Sequence, residues 1–238
     1  MRGKKSMIRD VDPGEIMRGS DYLFNPRADS QSDQGVLPVS FYEEETVRVA
    51  QDLLGCFLEH RERTGTLAGR IVETEVYIVG DEAAHSFKGM TERNRILFGP
   101  VGNAYVYFIY GMHCCLNAVT GKAGSGEAVL IRALEPVEGI AVMEKRRKTS
   151  VPRNLCSGPG KLTQAFGISL RCNGASLVDS PLRILSAASF PGFEPVEEPD
   201  IVRTTRIGIT KSADLQLRFM IKGNRFVSRM SNPEQSSR

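Results

Sequence analysis

Two alternating apolar runs, "AYVYFIY" at 104–110 and "HCCLNAV" at 113–119, stand on either side of Gly111-Met112. A period of two fits a strand and not a helix, and a connection this short joins only antiparallel neighbours. This segment therefore predicts a β-hairpin, with Tyr105, Tyr107 and Ile109 on one side and Val106, Phe108 and Tyr110 on the other. "GRIVETEVYIVG" at 69–80 alternates in the same way, setting Val72, Thr74 and Val76 against Glu73, Glu75 and Tyr77. "AVLIRALEP" reads as a strand ended by Pro136, and "VRTTRIGIT", "LQLRFMI" and "RFVS" read as late strands. Helical signals lie between them. Ser40 and Glu43 suggest a capping box ahead of Val47, Ala50 and Leu54, closed by Gly55. A second helix runs from about Val137 into Lys145-Arg146-Arg147-Lys148, and a short one, "LTQAFG", stops at Gly167. Mostly antiparallel strands with flanking helices make an α+β fold, a single mixed domain.

The chain of 238 residues is 41% hydrophobic, enough for one sizeable core. Residues 1–36 read as a disordered tail, 37–230 as the folded domain, 231–238 as a flexible C-terminus and 176–199 as a loop-rich connection. No apolar run approaches the roughly 18 to 20 residues that span a bilayer, which predicts a soluble protein with no membrane partner. The five cysteines show no C-x-x-C spacing and read as buried thiols in a reducing compartment, cytoplasmic or nuclear. A net charge of +3 permits a polyanionic partner without requiring one.

Glu73 and Glu75 share a strand face, with carboxylates on the order of 7 Å apart in a regular strand. Such a pair can face water, flank a scissile bond with an attacking water, or share a divalent metal. His60, His85 and His113 lack metal-ligand spacing, so no metal is expected. "GPGKLT" departs from the P-loop, with Leu155 where its first glycine belongs and Leu162 after the lysine. Its turn, with Lys161 beside it, suits at most a single phosphate. The basic run 145–148 reads as a solvated helix end. Tyr110, beside the turn glycine, has the chemistry of a wedge between stacked bases.

In order, "GRIVETEVY", "DEAAHS", "TERNRILFGP", "AYVYFIYGMHCCLN", "AVLIRALEP" and "GPGKLTQAFGI" resemble the motif set of the 3-methyladenine (alkyladenine) DNA glycosylases, which excise alkylated and deaminated purines. The match runs from about Phe41 to Ile168 and more loosely through "RIGI" and "LRFMIKGNRFVS". The resemblance implies a DNA glycosylase domain with a curved antiparallel sheet and a protruding hairpin. It implies Glu75 as the general base, not Glu73, and Arg132 as the residue that orients the attacking water; alternation alone does not separate the two glutamates. Tyr77 and Tyr107 would stack on the flipped base, His85 would sit at the pocket edge, and backbone groups near Ala83 would read the purine. Asn117 would collide with a guanine amino group, Leu130 and Met112 would pack the pocket and the hairpin, and Tyr110 would fill the gap in the duplex.

No lysine matches a Schiff-base nucleophile, so the resemblance implies a monofunctional enzyme with no cofactor. The implied partner is double-stranded DNA containing damaged purines, bound by a monomer, in a bacterial cytoplasm and nucleoid or a eukaryotic nucleus. A damaged-base-binding module without turnover and a metal-dependent nuclease using Glu73 and Glu75 are the rival readings. Phosphate contacts are expected from Arg93, Arg95 and Lys161. If these side chains neutralise phosphates, the log of the duplex binding constant falls against log salt by about 0.9 for each contact. Anisotropy titrations at several salt concentrations read that slope, and a flat response would remove these residues from the DNA interface.

Overall fold

The computed structural model describes residues 35–109 and 113–228. Its longest strand, β2 (Gly65–Tyr77), organises the others. One edge of β2 carries β5 (Glu127–Glu138) from Ala68 to Tyr77. The other edge is shared by β1 (Phe57–Glu62), paired with 65–70, and β8 (Arg218–Ile221), paired with Glu73, Thr74 and Glu75. β3 (Ala104–Ile109), β4 (His113–Thr120) and β6 (Leu182–Leu185) extend an antiparallel sheet ordered β3-β4-β5-β2-β1-β6, and β7 (Ile201–Thr204) joins through β8. This eight-stranded sheet with helices at its side is the expected α+β arrangement. β3 and β4 pair from Ala104–Ala118 to Ile109–His113, as their shared alternation predicts. The turn between them, with Tyr110 and Met112, lies outside the described residues.

One sheet face packs on the helices. Leu58, Ile71, Val76, Val106, Leu116, Ile131 and Leu134 form a continuous core with Val49, Leu53, Leu155, Leu162 and Phe166. The helices are α1 (Val39–Tyr42), α2 (Thr46–Asp52), α3 (Ile140–Arg147), α4 (Arg153–Cys156) and α5 (Pro159–Phe166). α5 begins earlier than "LTQAFG" suggests, because Pro159 occupies the first turn, where its missing N–H has no partner to lose. Leu162, Ala165 and Phe166 are buried on its sheet side, and Gly167 ends it in the left-handed region at φ 67°. Full burial of a side chain like Phe166 contributes roughly 2–3 kcal/mol.

Several local expectations change. The capping box does not form: Ser40 sits inside α1 and accepts the Glu43 N–H through its main-chain oxygen, so two short helices replace one. β5 runs past Pro136, which sits opposite Gly69 at an irregularity where no ladder N–H is required. Residues 176–199 contain β6 and pack Phe190 and Phe193 against Phe57, with ring centroids at 3.9 and 5.0 Å. "RFVS" forms no strand, and "RIGIT" continues as a loop after β7. Within the basic run, Arg146 donates to Glu62 at 2.6 Å and to the Ala165 carbonyl at 3.2 Å, and Arg147 donates to the Leu155 carbonyl. That helix end thus ties α3 to the sheet and to α5.

β2 itself is bulged. Ile71 faces Leu134 and Glu73 faces Ala133, so Val72 is extra and packs with Ala133 and Phe226 instead of joining Val76 in the main core. Gly139, ahead of α3, has φ 73°, and a Cβ there would lie 2.6 Å from Leu67 Cδ2 and 2.8 Å from the Thr66 carbonyl. Gly139→Ala should therefore destabilise the domain by about 1–3 kcal/mol, through both backbone strain and a backbone collision. A urea melt checks this, and an unchanged midpoint would contradict the geometry.

Candidate active site

Sheet register assembles the site. Tyr105 on β3 faces Asn117 on β4, Asn117 faces Leu130 on β5, and Leu130 faces Glu75 on β2. These four form one transverse row, and because paired residues project to the same side, all reach the sheet face away from the helices. Tyr107 opposite Cys115 starts the adjacent row. Over this face lies a cavity of about 360 Å³, whose walls include Tyr77, Ala83, His85, Tyr105, Tyr107, Cys115, Asn117, Leu130 and Arg132. Ile207, Gly208 and Ile209, in the loop between β7 and β8, close another side.

The two glutamates have different surroundings. Both side chains are fully buried, and Arg132 bridges them, with Nε 3.1 Å from Glu73 Oε1 and Nη1 3.2 Å from Glu75 Oε2. Glu73 also accepts from Arg218 Nε at 2.6 Å, the Ser228 hydroxyl at 2.7 Å and the Ser228 N–H at 2.6 Å. Its carboxylate is held by structural groups on every side. Glu75 accepts the Tyr77 hydroxyl at 3.1 Å and the Ile207 N–H at 2.8 Å. It lies just behind the cavity wall, and the three residues that bind it, Tyr77, Arg132 and Ile207, all line that wall.

The aromatic side is equally ordered. His85 Nδ1 lies 3.0 Å from the Tyr105 hydroxyl, and its ring meets Tyr107 edgewise at 4.4 Å. Burial, aided by the charge on Arg93, holds the His85 imidazole below its ordinary pKa. A neutral ring with a hydroxyl at one nitrogen presents its other nitrogen for recognition. Asn117 Nδ2 donates to the Tyr105 carbonyl at 3.1 Å, which fixes the amide in the wall. The Ala83 N–H donates to Asp81 Oδ1 at 3.0 Å. Burial pushes the Cys115 thiol up to about 11, so it faces the cavity as a neutral S–H.

Of the residues expected from sequence, Glu75, Arg132, Tyr77, Ala83, His85, Tyr107, Asn117 and Leu130 gather at or directly behind this cavity. Tyr110 and Met112 lie outside the described residues. Arg93 lines the cavity and a neighbouring one of about 290 Å³, with its Nη2 3.4 Å from the Phe108 carbonyl. Arg95 stands 3.9 Å from Glu92, and Lys161 donates to the Ser157 hydroxyl at 3.3 Å; neither lines the larger cavity. Among the described residues, no three His, Cys, Asp or Glu side chains are grouped to hold a metal ion. Tyr105 and Ile207 were not expected at the site. The strand alternation does place Tyr105 beside Tyr107, whereas the approach of Ile207 to Glu75 depends on a loop with no periodic signal.

A family model described as methylpurine-DNA glycosylase matches residues 40–225. A protein of Methanoculleus marisnigri is 61% identical over 193 residues, covering 81% of this chain and 98% of its own length. A protein of Carboxydothermus hydrogenoformans is 48% identical, covering 82% of this chain and 99% of its own length. One from Francisella tularensis is 47% identical, covering 77% and 94%. All three carry the name "Putative 3-methyladenine DNA glycosylase".

The unequal settings of the two acids lead to an expected outcome. Glu73→Gln keeps the side-chain shape but leaves Arg218 without its buried counter-charge, which should cost about 3–5 kcal/mol. Glu75→Gln should cost less, since Arg132 keeps Glu73. Denaturant melts of the two variants measure the difference, and equal losses would contradict a purely structural Glu73.

Proposed function

The chain belongs to the methylpurine-DNA glycosylase family, and from that premise we propose that it is a monofunctional hydrolase of damaged purines in duplex DNA, with Glu75 as the general base. The single observation that carries this reading is the position of Glu75, bound by Arg132 immediately behind an aromatic cavity wall. A purine turned out of the duplex enters between Tyr77, Tyr107 and His85. Water held at the Arg132 edge passes a proton to the Glu75 carboxylate as its oxygen attacks C1′. The C1′–N bond breaks ahead of that proton transfer and its electron pair leaves with the base, while the Glu75 carboxylate, still ionised, stabilises the oxocarbenium-like sugar. The products are a free base and an abasic site, with the strand intact.

This site selects damage in two ways. Damaged pairs unpair at lower cost, and 3-methyladenine carries a positive charge that favours an electron-rich aromatic cavity and makes it a good leaving group. Hypoxanthine and ethenoadenine are neutral and must gain a proton as they depart. Asn117, fixed by its bond to the Tyr105 carbonyl and lining the cavity, is on this reading the side chain that collides with a guanine amino group. Tyr110, as the wedge in the duplex, and action as a monomer complete the proposal.

The test is single-turnover cleavage, in EDTA, of a labelled duplex carrying hypoxanthine opposite thymine, read with and without alkali. Wild-type protein should give alkali-dependent strand breaks, and Glu75→Gln should lose at least about 100-fold in rate, the scale of a general base. Breaks that appear without alkali and require magnesium would indicate a nuclease. Tight binding of hypoxanthine and 3-methyladenine duplexes with no cleavage of either would favour a lesion-binding module.

A further inference from the structure

Arg206 and Asp81 form an ion pair whose two side chains have no exposed surface, behind the part of the cavity wall made by Tyr77 and Ile207. The guanidinium meets both Asp81 oxygens, with Nη2 2.9 Å from Oδ1, and donates from Nη1 to the Val76 carbonyl at 2.9 Å. It also lies over the Tyr77 ring, 4.8 Å from the centroid. Nη2 reaches the Ser212 carbonyl at 3.3 Å, so the loop after β7 is fastened to itself, to the end of β2 and to the loop carrying His85.

These contacts converge on one carboxylate. The residue after Arg206 is Ile207, whose N–H donates to Glu75 Oε1, and the ring beneath the guanidinium is Tyr77, whose hydroxyl donates to Glu75 Oε2. Apart from Arg132, the groups that orient Glu75 are therefore those Arg206 holds. Lysine has no planar fork and cannot pair both carboxylate oxygens, reach the Val76 carbonyl and lie flat on a ring together. Arg206 Nε is buried without a hydrogen-bond partner among the described residues. The fork thus keeps its place over Tyr77 although one of its donors goes unmet.

We propose that Arg206, paired with Asp81, is a positioning residue for base excision: it sets the plane of Tyr77 and the place of the Ile207 N–H, and through them the orientation of Glu75. This rests on Glu75 being the general base. A merely structural ion pair would affect how much protein folds, whereas a positioning role affects how fast the folded enzyme cuts.

The experiment uses the full 238-residue chain with Arg206→Lys, Tyr77→Phe and their combination, measuring lesion-duplex affinity and single-turnover rate on the hypoxanthine substrate. A further variant, Arg206→Met with Asp81→Leu, removes both charges together and leaves none buried alone, which protects the fold. For Arg206→Lys and for the Arg206→Met, Asp81→Leu pair, the expected result is near-normal affinity with a rate about 100-fold lower, the scale of a small misplacement of reacting groups. Adding Tyr77→Phe to Arg206→Lys should then lose much less than the product of the separate effects, because both act through one carboxylate. Wild-type rates in the folded fraction of these variants, or fully multiplicative losses, would overturn the proposal. If the wild-type protein cuts no lesion duplex, the glycosylase reading fails in that lane and the positioning role falls with it.

Discussion

A guanidinium between two carboxylates, all withdrawn from water, is the interaction on which the rest depends. Arg132 joins Glu73 to Glu75, and Arg218 supplies a second positive charge to Glu73. Each buried ion loses several kcal/mol of hydration, so the cluster persists only where every charge has close, well-directed partners. That requirement explains the branching of the sheet along β2. β5 must deliver Arg132 from one edge and β8 must deliver Arg218 from the other, with Ser228 closing the remaining side of Glu73. Once Glu73 is saturated, Arg132 keeps Nη1 for Glu75, beside the cavity.

The fold was legible in sequence where side chains obey a period. Alternation located β2, β3, β4 and β5 and placed Tyr105 with Tyr107 and Glu73 with Glu75. It failed where the backbone departs from regularity. Val72 leaves its expected face because the bulge adds one residue, a local event with no compositional mark. β6 was hidden because a four-residue strand is too short to display a period. The motif at Ser40 has capping chemistry, but Ser40 falls inside α1 and α2 starts only at Thr46, so neither helix uses it as a cap.

The candidate site was legible in part, and for a different reason. The two glutamates are indistinguishable by spacing, residue type and burial; they separate by their hydrogen-bond partners, Tyr77 and Ile207 on Glu75 against Arg218 and Ser228 on Glu73, and all but Tyr77 lie at least 132 positions away in the chain. Resemblance singles out Glu75, and the geometry shows how the surroundings of the two carboxylates differ. One carboxylate is enclosed by structural donors, while the other is held by groups that themselves face the cavity. The loop 205–212 carries no periodic signal beyond "RIGI", because it acts through the Ile207 main-chain N–H, an apolar wall and one arginine, Arg206, whose partners Asp81 and Val76 are distant in the chain.

The row from Tyr105 through Asn117 and Leu130 to Glu75 bears on how such a protein can diverge. Its members come from four strands, and each depends on pairings that a single inserted or deleted residue would turn to the opposite face. A length change between these pairings therefore dismantles the row unless a bulge such as the one at Val72 absorbs it. Replacement of the middle members, Asn117 and Leu130, alters the floor of the cavity without moving either end of the row. On the proposed reading, point substitution there changes the range of bases accepted while Glu75 keeps its place.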